Sequence, residues 1–201
     1  MKLYEAAKTR SARCRWVLQE LQVPFEAVPV RLAQGEHQQP EFLKLNPYGR
    51  VPVLVDGNLV LSESVAICLY LADHYADRGL IPAPGTPERA IHDQWLLFCV
   101  TELEQPLWQI RRHTVLYPAA KRLPAEVAIA RDNFNKAAQV LDRALRGQVY
   151  LGGPHFSVAD IVVTYTLNWA AGYGLLEDFP TLRAYVAHQK ARESCPQELR
   201  D

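Results

Sequence analysis

The sequence predicts an α+β N-terminal domain of order βαβ then ββα, followed by a domain built only of helices. Three observations predict it. Two short strand-like runs, residues 1–4 and 25–30, flank a helical segment from about residue 11 to 22, which implies a parallel strand pair joined by a right-handed crossover. Residues 51–55 and 59–61 are apolar runs around the turn Asp56-Gly57-Asn58, a hairpin, and a helix with apolar positions at Val65, Ile67, Cys68, Leu69, Leu71 and Ala72 follows at once. Residues 77–85 hold Gly79, Pro82, Pro84 and Gly85 and read as a linker, beyond which the text is helical. The domain boundaries that follow are 1–76, a linker over 77–85, and 86–201.

Composition narrows the function classes. A chain of 201 residues, 49% apolar, is long enough to bury a sizeable core. Twenty-two basic residues balance twenty-two acidic ones, which argues against a general attraction to nucleic acid or to an anionic membrane. No apolar run approaches the ~20 residues of a membrane span, and residues 2–10 lack the apolar segment of a signal peptide, so a cytoplasmic protein is expected. Cys14, Cys68, Cys99 and Cys195 show neither CxxC spacing nor pairing with histidines, so they read as ordinary buried or surface residues with no zinc site or disulfide framework.

Ligands of such sheets lie beyond the strand carboxyl ends and near helix N-termini, where the loop Glu5–Ser11 falls. Ser11 stands before the helical text ARCRWVLQEL, as a helix cap, as a hydroxyl aimed at a ligand, or both. Residues 31–45 form a polar loop ending in a short helical turn. Pro52 sits inside a strand-like run, where it would delete a ladder hydrogen bond; a cis bond at Val51-Pro52 resolves the conflict and turns the Val51 N–H and C=O outward, toward an extended ligand. Ser62, Glu63 and Ser64 open the next helix, whose bare N–H groups donate to a carboxylate while Glu63 and Ser64 offer an acceptor to an ammonium, the two ends of an amino-acid zwitterion. In the second half, Thr86-Pro87-Glu88 is a helix start, Pro106 is expected to kink the long segment running to about residue 114, and Pro124 opens a helix ending near Gly147. Ser157 and Asp160 form an S-x-x-D box before an apolar helix, a folding signal with no catalytic part.

GRVPVL, a turn, then LSESVAICLYLADHY, together with YLGGPHFSVADIVVTYTL further on, resembles the glutathione transferase family of the cytosolic type, with bacterial, theta-like, zeta-like and cysteine-type (beta) features. The resemblance runs along nearly the whole chain and implies a thioredoxin-like first domain. It implies that Val51, before cis Pro52, pairs with the cysteinyl backbone of glutathione, and that Glu63 and Ser64 bind the γ-glutamyl end. His37, nine residues before Asn46 as in the theta-like pattern, is the implied ligand of the glycyl carboxylate, with Arg50 adding charge. Near the sulfur, the serine of some subclasses falls on Thr9, the cysteine of the bacterial cysteine type on Arg10, and Ser11 follows. With no cysteine at positions 8–11, the attacking thiol of the disulfide-exchanging relatives is missing. The implied reaction adds the thiolate of glutathione, as co-substrate, to a small hydrophobic electrophile, with no metal and no nucleic-acid or membrane partner, in a homodimer. Trp108, Arg111, Arg112 and Tyr117 are candidates to line the electrophile's site or to pack the fold. Two other readings stay open: a zeta-like isomerase, whose SSCSWR motif corresponds here to KTRSAR, and a non-catalytic scaffold on the same fold.

Overall fold

In the computed structural model, which describes residues 1–200, β1 (Lys2–Glu5) and β2 (Glu26–Pro29) are parallel and α1 (Ser11–Glu20) crosses between them. β3 (Val53–Asp56) runs antiparallel to β1, and β4 (Leu59–Ser62) antiparallel to β3, giving a mixed four-stranded sheet in the order β2-β1-β3-β4. The β3–β4 register pairs Asp56 with Leu59, so two residues make the turn, and Gly57 supplies its positive φ of 56°. α2 (Pro40–Leu43) is a single short helix, and α3 (Ser64–His74) follows β4 directly. Cys14, Val17, Leu18 and Leu21 recur at helical spacing along α1 and are fully buried with Leu3, Leu54, Ile67 and Leu71, as the crossover reading requires.

The chain divides into two compact units, Met1–Ile81 with the stretch from Ala191 onward, and Pro82–Lys190. The second unit is helical: α4 (Pro87–Phe98), α5 (Glu104–Arg111), α6 (Pro124–Leu145), α7 (Val158–Ala171) and α8 (Pro180–Lys190). The Thr86 hydroxyl caps α4 by accepting the Arg89 N–H at 3.2 Å, with Pro87 in the first turn. The long segment expected to kink at Pro106 is interrupted just before it. A π-helical turn over Cys99–Leu103 lies directly ahead of it, between α4 and α5. Proline has no N–H for the Glu102 carbonyl and its ring crowds that turn, and widening the helix relieves both. α7 is buried on nearly every side and forms the centre of this unit. Its S-x-x-D box is present: the Asp160 carboxylate accepts the Ser157 N–H at 2.9 Å and the Ser157 hydroxyl at 3.0 Å. α9 (Gln197–Arg200) belongs to the first unit.

Candidate functional site

Strand register decides which loops meet. Val53 lies opposite Tyr4 of β1 and opposite Ser62 of β4, so Val51 and Pro52 run between the carboxyl end of β1 and the β4–α3 junction. The Val51-Pro52 peptide is cis. The Val51 side chain packs inward on the cluster of Val30, Phe42 and Val53, and among the described residues no backbone hydrogen bond uses its N–H or C=O. An extended peptide laid beside it can therefore use both groups.

The main chain leading to Val51 is shaped by Asn46, a residue the sequence reading used only as a counting mark. Buried to 7% exposure, Asn46 donates its side-chain amide to the Arg50 carbonyl at 2.7 Å and accepts the Tyr48 N–H at 3.1 Å. Its own carbonyl accepts the Gly49 N–H at 2.8 Å. A Cβ on Gly49 would come within 2.4 Å of Gln38 Nε2 and 3.0 Å of the His37 carbonyl, so the turn carrying His37 lies tightly against this loop. His37 and Arg50 are thereby neighbours in space. His37 is half-buried and its Nδ1 is shielded without a hydrogen-bond partner among the described residues, while the Arg50 guanidinium lies 4.0 Å over the Tyr48 ring.

Across the sheet end, α3 starts with no side-chain cap. Its N-cap residue is Glu63, exposed and held at φ 71°, a conformation that costs a non-glycine residue on the order of 1 kcal/mol or more. The first-turn N–H groups thus donate to no side chain of the N-cap residue. Ser64 is buried; its hydroxyl accepts from Arg13 Nη1 at 3.3 Å and its carbonyl accepts the Cys14 thiol at 3.5 Å. Arg13, only 1% exposed, was not singled out from the sequence. The signal was its position four residues before Val17, on the helix face that packs inward.

The loop after β1 is built on its two hydroxyls. Thr9 Oγ1 lies 2.6 Å from the Ala6 carbonyl and 2.9 Å from Ser11 Oγ. Its one hydrogen goes to the carbonyl, a pure acceptor and the nearer atom, so Ser11 donates across the longer contact. Ser11 Oγ accepts the Ala6 N–H at 3.3 Å, and Thr9 Oγ1 accepts the Ser11 N–H at 3.2 Å. Ser11 does not cap α1: it is the first helical residue, Arg10 is the N-cap, and the Ser11 hydroxyl points back to fasten the loop to β1 at 1% exposure. Thr9 and Arg10 are half-buried. Glu5 and Arg15 form an ion pair that ties the end of β1 to α1.

Val51, Pro52, Glu63, Ser64 and the loop through Thr9, Arg10 and Ser11 thus gather at one end of the sheet, with His37 and Arg50 on its flank. Cys14 adjoins them but is fully buried; burial, and then the neighbouring Cys68 thiol, push its thiol well above the usual range. In the helical unit, the Arg112 guanidinium stacks 4.9 Å from the Tyr117 ring centre and donates to the Tyr117 hydroxyl. A groove of about 610 Å³ there is lined by Phe98, Gln105, Gln109, Ile129, Lys136 and Val140.

Comparison with known proteins gives one family. The N-terminal domain of glutathione S-transferases matches residues 1–73, and the C-terminal domain of the same family matches residues 116–188. A glutathione S-transferase of Hyoscyamus muticus is 32% identical over 200 residues, covering 96% of this chain and 94% of its own. Glutathione S-transferase theta-1 of Mus musculus is 34% identical over 84% of this chain and 73% of its own. Among solved structures, the ternary complex of BphK, a bacterial glutathione transferase, superposes with a TM-score of 0.88 at 32% identity over 100% of this chain and 98% of its own. The glutathione transferase URE2P8 of Phanerochaete chrysosporium, solved with oxidized glutathione, gives a TM-score of 0.88 at 28% identity over 98% and 92% of the two chains.

Proposed function

This chain belongs to the glutathione S-transferase family, and from that premise we propose how it carries out a glutathione transferase reaction. Reduced glutathione lies along the cis Val51-Pro52 junction, its cysteinyl N–H and C=O paired with the main chain of Val51. Its γ-glutamyl carboxylate meets the uncapped N-terminus of α3 and the Ser64 hydroxyl, and its ammonium meets the Glu63 carboxylate. The glycyl carboxylate reaches His37 and Arg50. These assignments carry its sulfur toward Thr9 and Arg10, with Ser11 holding the loop from behind.

Chemistry at the sulfur is a matter of charge. A thiol of ordinary pKa near 8.5 is mostly protonated at neutral pH, and lowering that value by about two units takes roughly 2.7 kcal/mol of preferential interaction with the thiolate. The Arg10 charge and the positive end of α1 act in the same direction, and the Thr9 hydroxyl joins them once its hydrogen turns from the Ala6 carbonyl to the sulfur. The thiolate then forms a bond to the electrophilic carbon of a small hydrophobic substrate, and the leaving group departs with the electron pair. The single observation that carries the reading is Glu63, exposed and at φ 71° on a helix start without a side-chain cap, a geometry suited to an amino-acid head group.

The test is retention on immobilised glutathione together with turnover of a halonitrobenzene by the wild-type protein, and a Glu63→Gln variant whose KM for glutathione rises about tenfold. Folded protein that neither binds nor turns over would return the scaffold reading. We also propose that the chain works as a homodimer. Exposed Ile129 (54%) and Val140 (40%) on the helical groove suit burial against a second copy.

A further inference from the structure

The loop assigned to the sulfur is fastened from outside as well as from within. Lys8 stands in its turn at φ 56°, and the Lys8 main-chain N–H donates to the Glu198 carboxylate at 2.6 Å, across 190 positions of sequence. Left-handed backbone is uphill for a lysine, so an exposed turn of this kind has other conformations within easy reach unless something selects one. A hydrogen bond of this length to an ionised acceptor belongs to the stronger class.

Glu198 is itself held firmly. Within the first unit, Cys195 and Leu199 are buried on either side of it. The Trp16 indole N–H donates to the Ser194 hydroxyl at 3.2 Å, Ser194 donates to the Glu20 carboxylate, and Arg192 pairs with the same carboxylate. Arg200 donates to the carbonyls of Arg192 at 2.7 Å and Cys195 at 3.0 Å. The carboxylate is therefore presented by a strap bound to α1 and is not a loose surface charge.

We propose that Glu198 is a positioning residue for the transferase reaction: by fixing the Lys8 main chain it sets the turn that presents Thr9 and Arg10 to the glutathione sulfur. The proposal rests on the reading of the site given above. Glu198 does not touch the sulfur, and its negative charge opposes a thiolate nearby, so its contribution is geometric and works against an electrostatic penalty. That opposition makes the role separable by experiment, because a neutral acceptor keeps the geometry and removes the charge.

Wild type, Glu198→Ala and Glu198→Gln, each as the full chain, would be compared by steady-state kinetics with glutathione and a halonitrobenzene, by the pH dependence of kcat, and by amide hydrogen exchange at Lys8. In Glu198→Ala, kcat should fall about tenfold while KM for glutathione stays within about twofold, since Val51, Glu63 and Ser64 are untouched; exchange at Lys8 should speed up about tenfold or more. Glu198→Gln should recover most of kcat and move the acid limb of the pH profile downward. An alanine variant with wild-type kcat and profile would overturn the proposal, as would equal changes in kcat and KM, or a glutamine variant as impaired as alanine. Inactive wild-type protein would instead remove the underlying site reading, a result that active wild type with an unaffected Glu198→Ala cannot be confused with.

Discussion

Replacing Asn46 tests whether the Val51 main chain is prepared for its ligand or merely available. The side chain makes two hydrogen bonds that Asn46→Ala removes, to the Arg50 carbonyl at 2.7 Å and from the Tyr48 N–H at 3.1 Å. At about 1 kcal/mol each, their loss weakens the loop by roughly 2 kcal/mol. If that energy holds the peptide before Val51 in its binding conformation, the competent fraction falls and the apparent KM for glutathione rises by about tenfold to thirtyfold, while kcat changes less than about threefold. Asn46→Asp separates the two bonds. It keeps an acceptor for Tyr48 but loses the donor to Arg50 and sets a carboxylate beside a carbonyl, so it should be at least as impaired as alanine. Initial-rate kinetics at varied glutathione, paired with urea unfolding, give both numbers. Unchanged KM in a less stable Asn46→Ala protein would refute the reasoning, because the bonds would then stabilise the fold without preparing the site.

Three further predictions follow from the same structure. Asp160 is fully buried and accepts from Leu151 N–H at 2.8 Å, Tyr185 hydroxyl at 2.6 Å and both Ser157 donors, so Asp160→Ala should cost about 3 kcal/mol in chemical denaturation, well beyond the ~1 kcal/mol of an ordinary cap, with KM for glutathione unchanged in folded protein. His92 is buried, its Nε2 accepts the Ala159 N–H at 3.3 Å and must be unprotonated, and burial lowers its pKa despite the adjoining Asp93; stability should therefore be full above about pH 6.5, the unfolded value, and decline as pH falls below it, a slope that His92→Gln should flatten in unfolding titrations. Light scattering should find a dimer at micromolar concentration that Val140→Asp converts to monomer, and a monomeric wild type would dismiss the proposed interface.

Much of this was legible in the sequence because each sign had one physical solution. A proline inside a strand-like run must leave the ladder, and Val51-Pro52 is cis just before β3 begins. Ser157 and Asp160 cap α7 because their spacing matches one helical turn. The misses have equally specific causes. Whether Ser11 caps α1 or begins it turns on a single residue's φ and ψ, and the Thr9 hydroxyl, by occupying the Ser11 N–H, settled it. Helical spacing marked the face on which Arg13 lies, but an arginine there is ordinarily read as solvated. Glu198 lies 190 residues from its partner in the chain, and no local pattern reports such a contact. Pro106 signalled an irregular helix without saying that a π-helical turn would stand ahead of it.

The chemistry itself is narrowed most by where the cysteines went. Exchange with a disulfide needs a protein thiolate that a substrate sulfur can approach in line. All four cysteines are buried, and Cys14, the one adjoining the site, faces the Ser64 carbonyl and Cys68 in surroundings that favour its protonated form. The site loop carries Thr9, Arg10 and Ser11, groups that can stabilise a sulfur anion but cannot become one. The nucleophile must therefore arrive with the ligand. An enzyme that brings its own thiol in glutathione, and keeps its cysteines in the core, is suited to adding that sulfur to carbon rather than to passing it between disulfides.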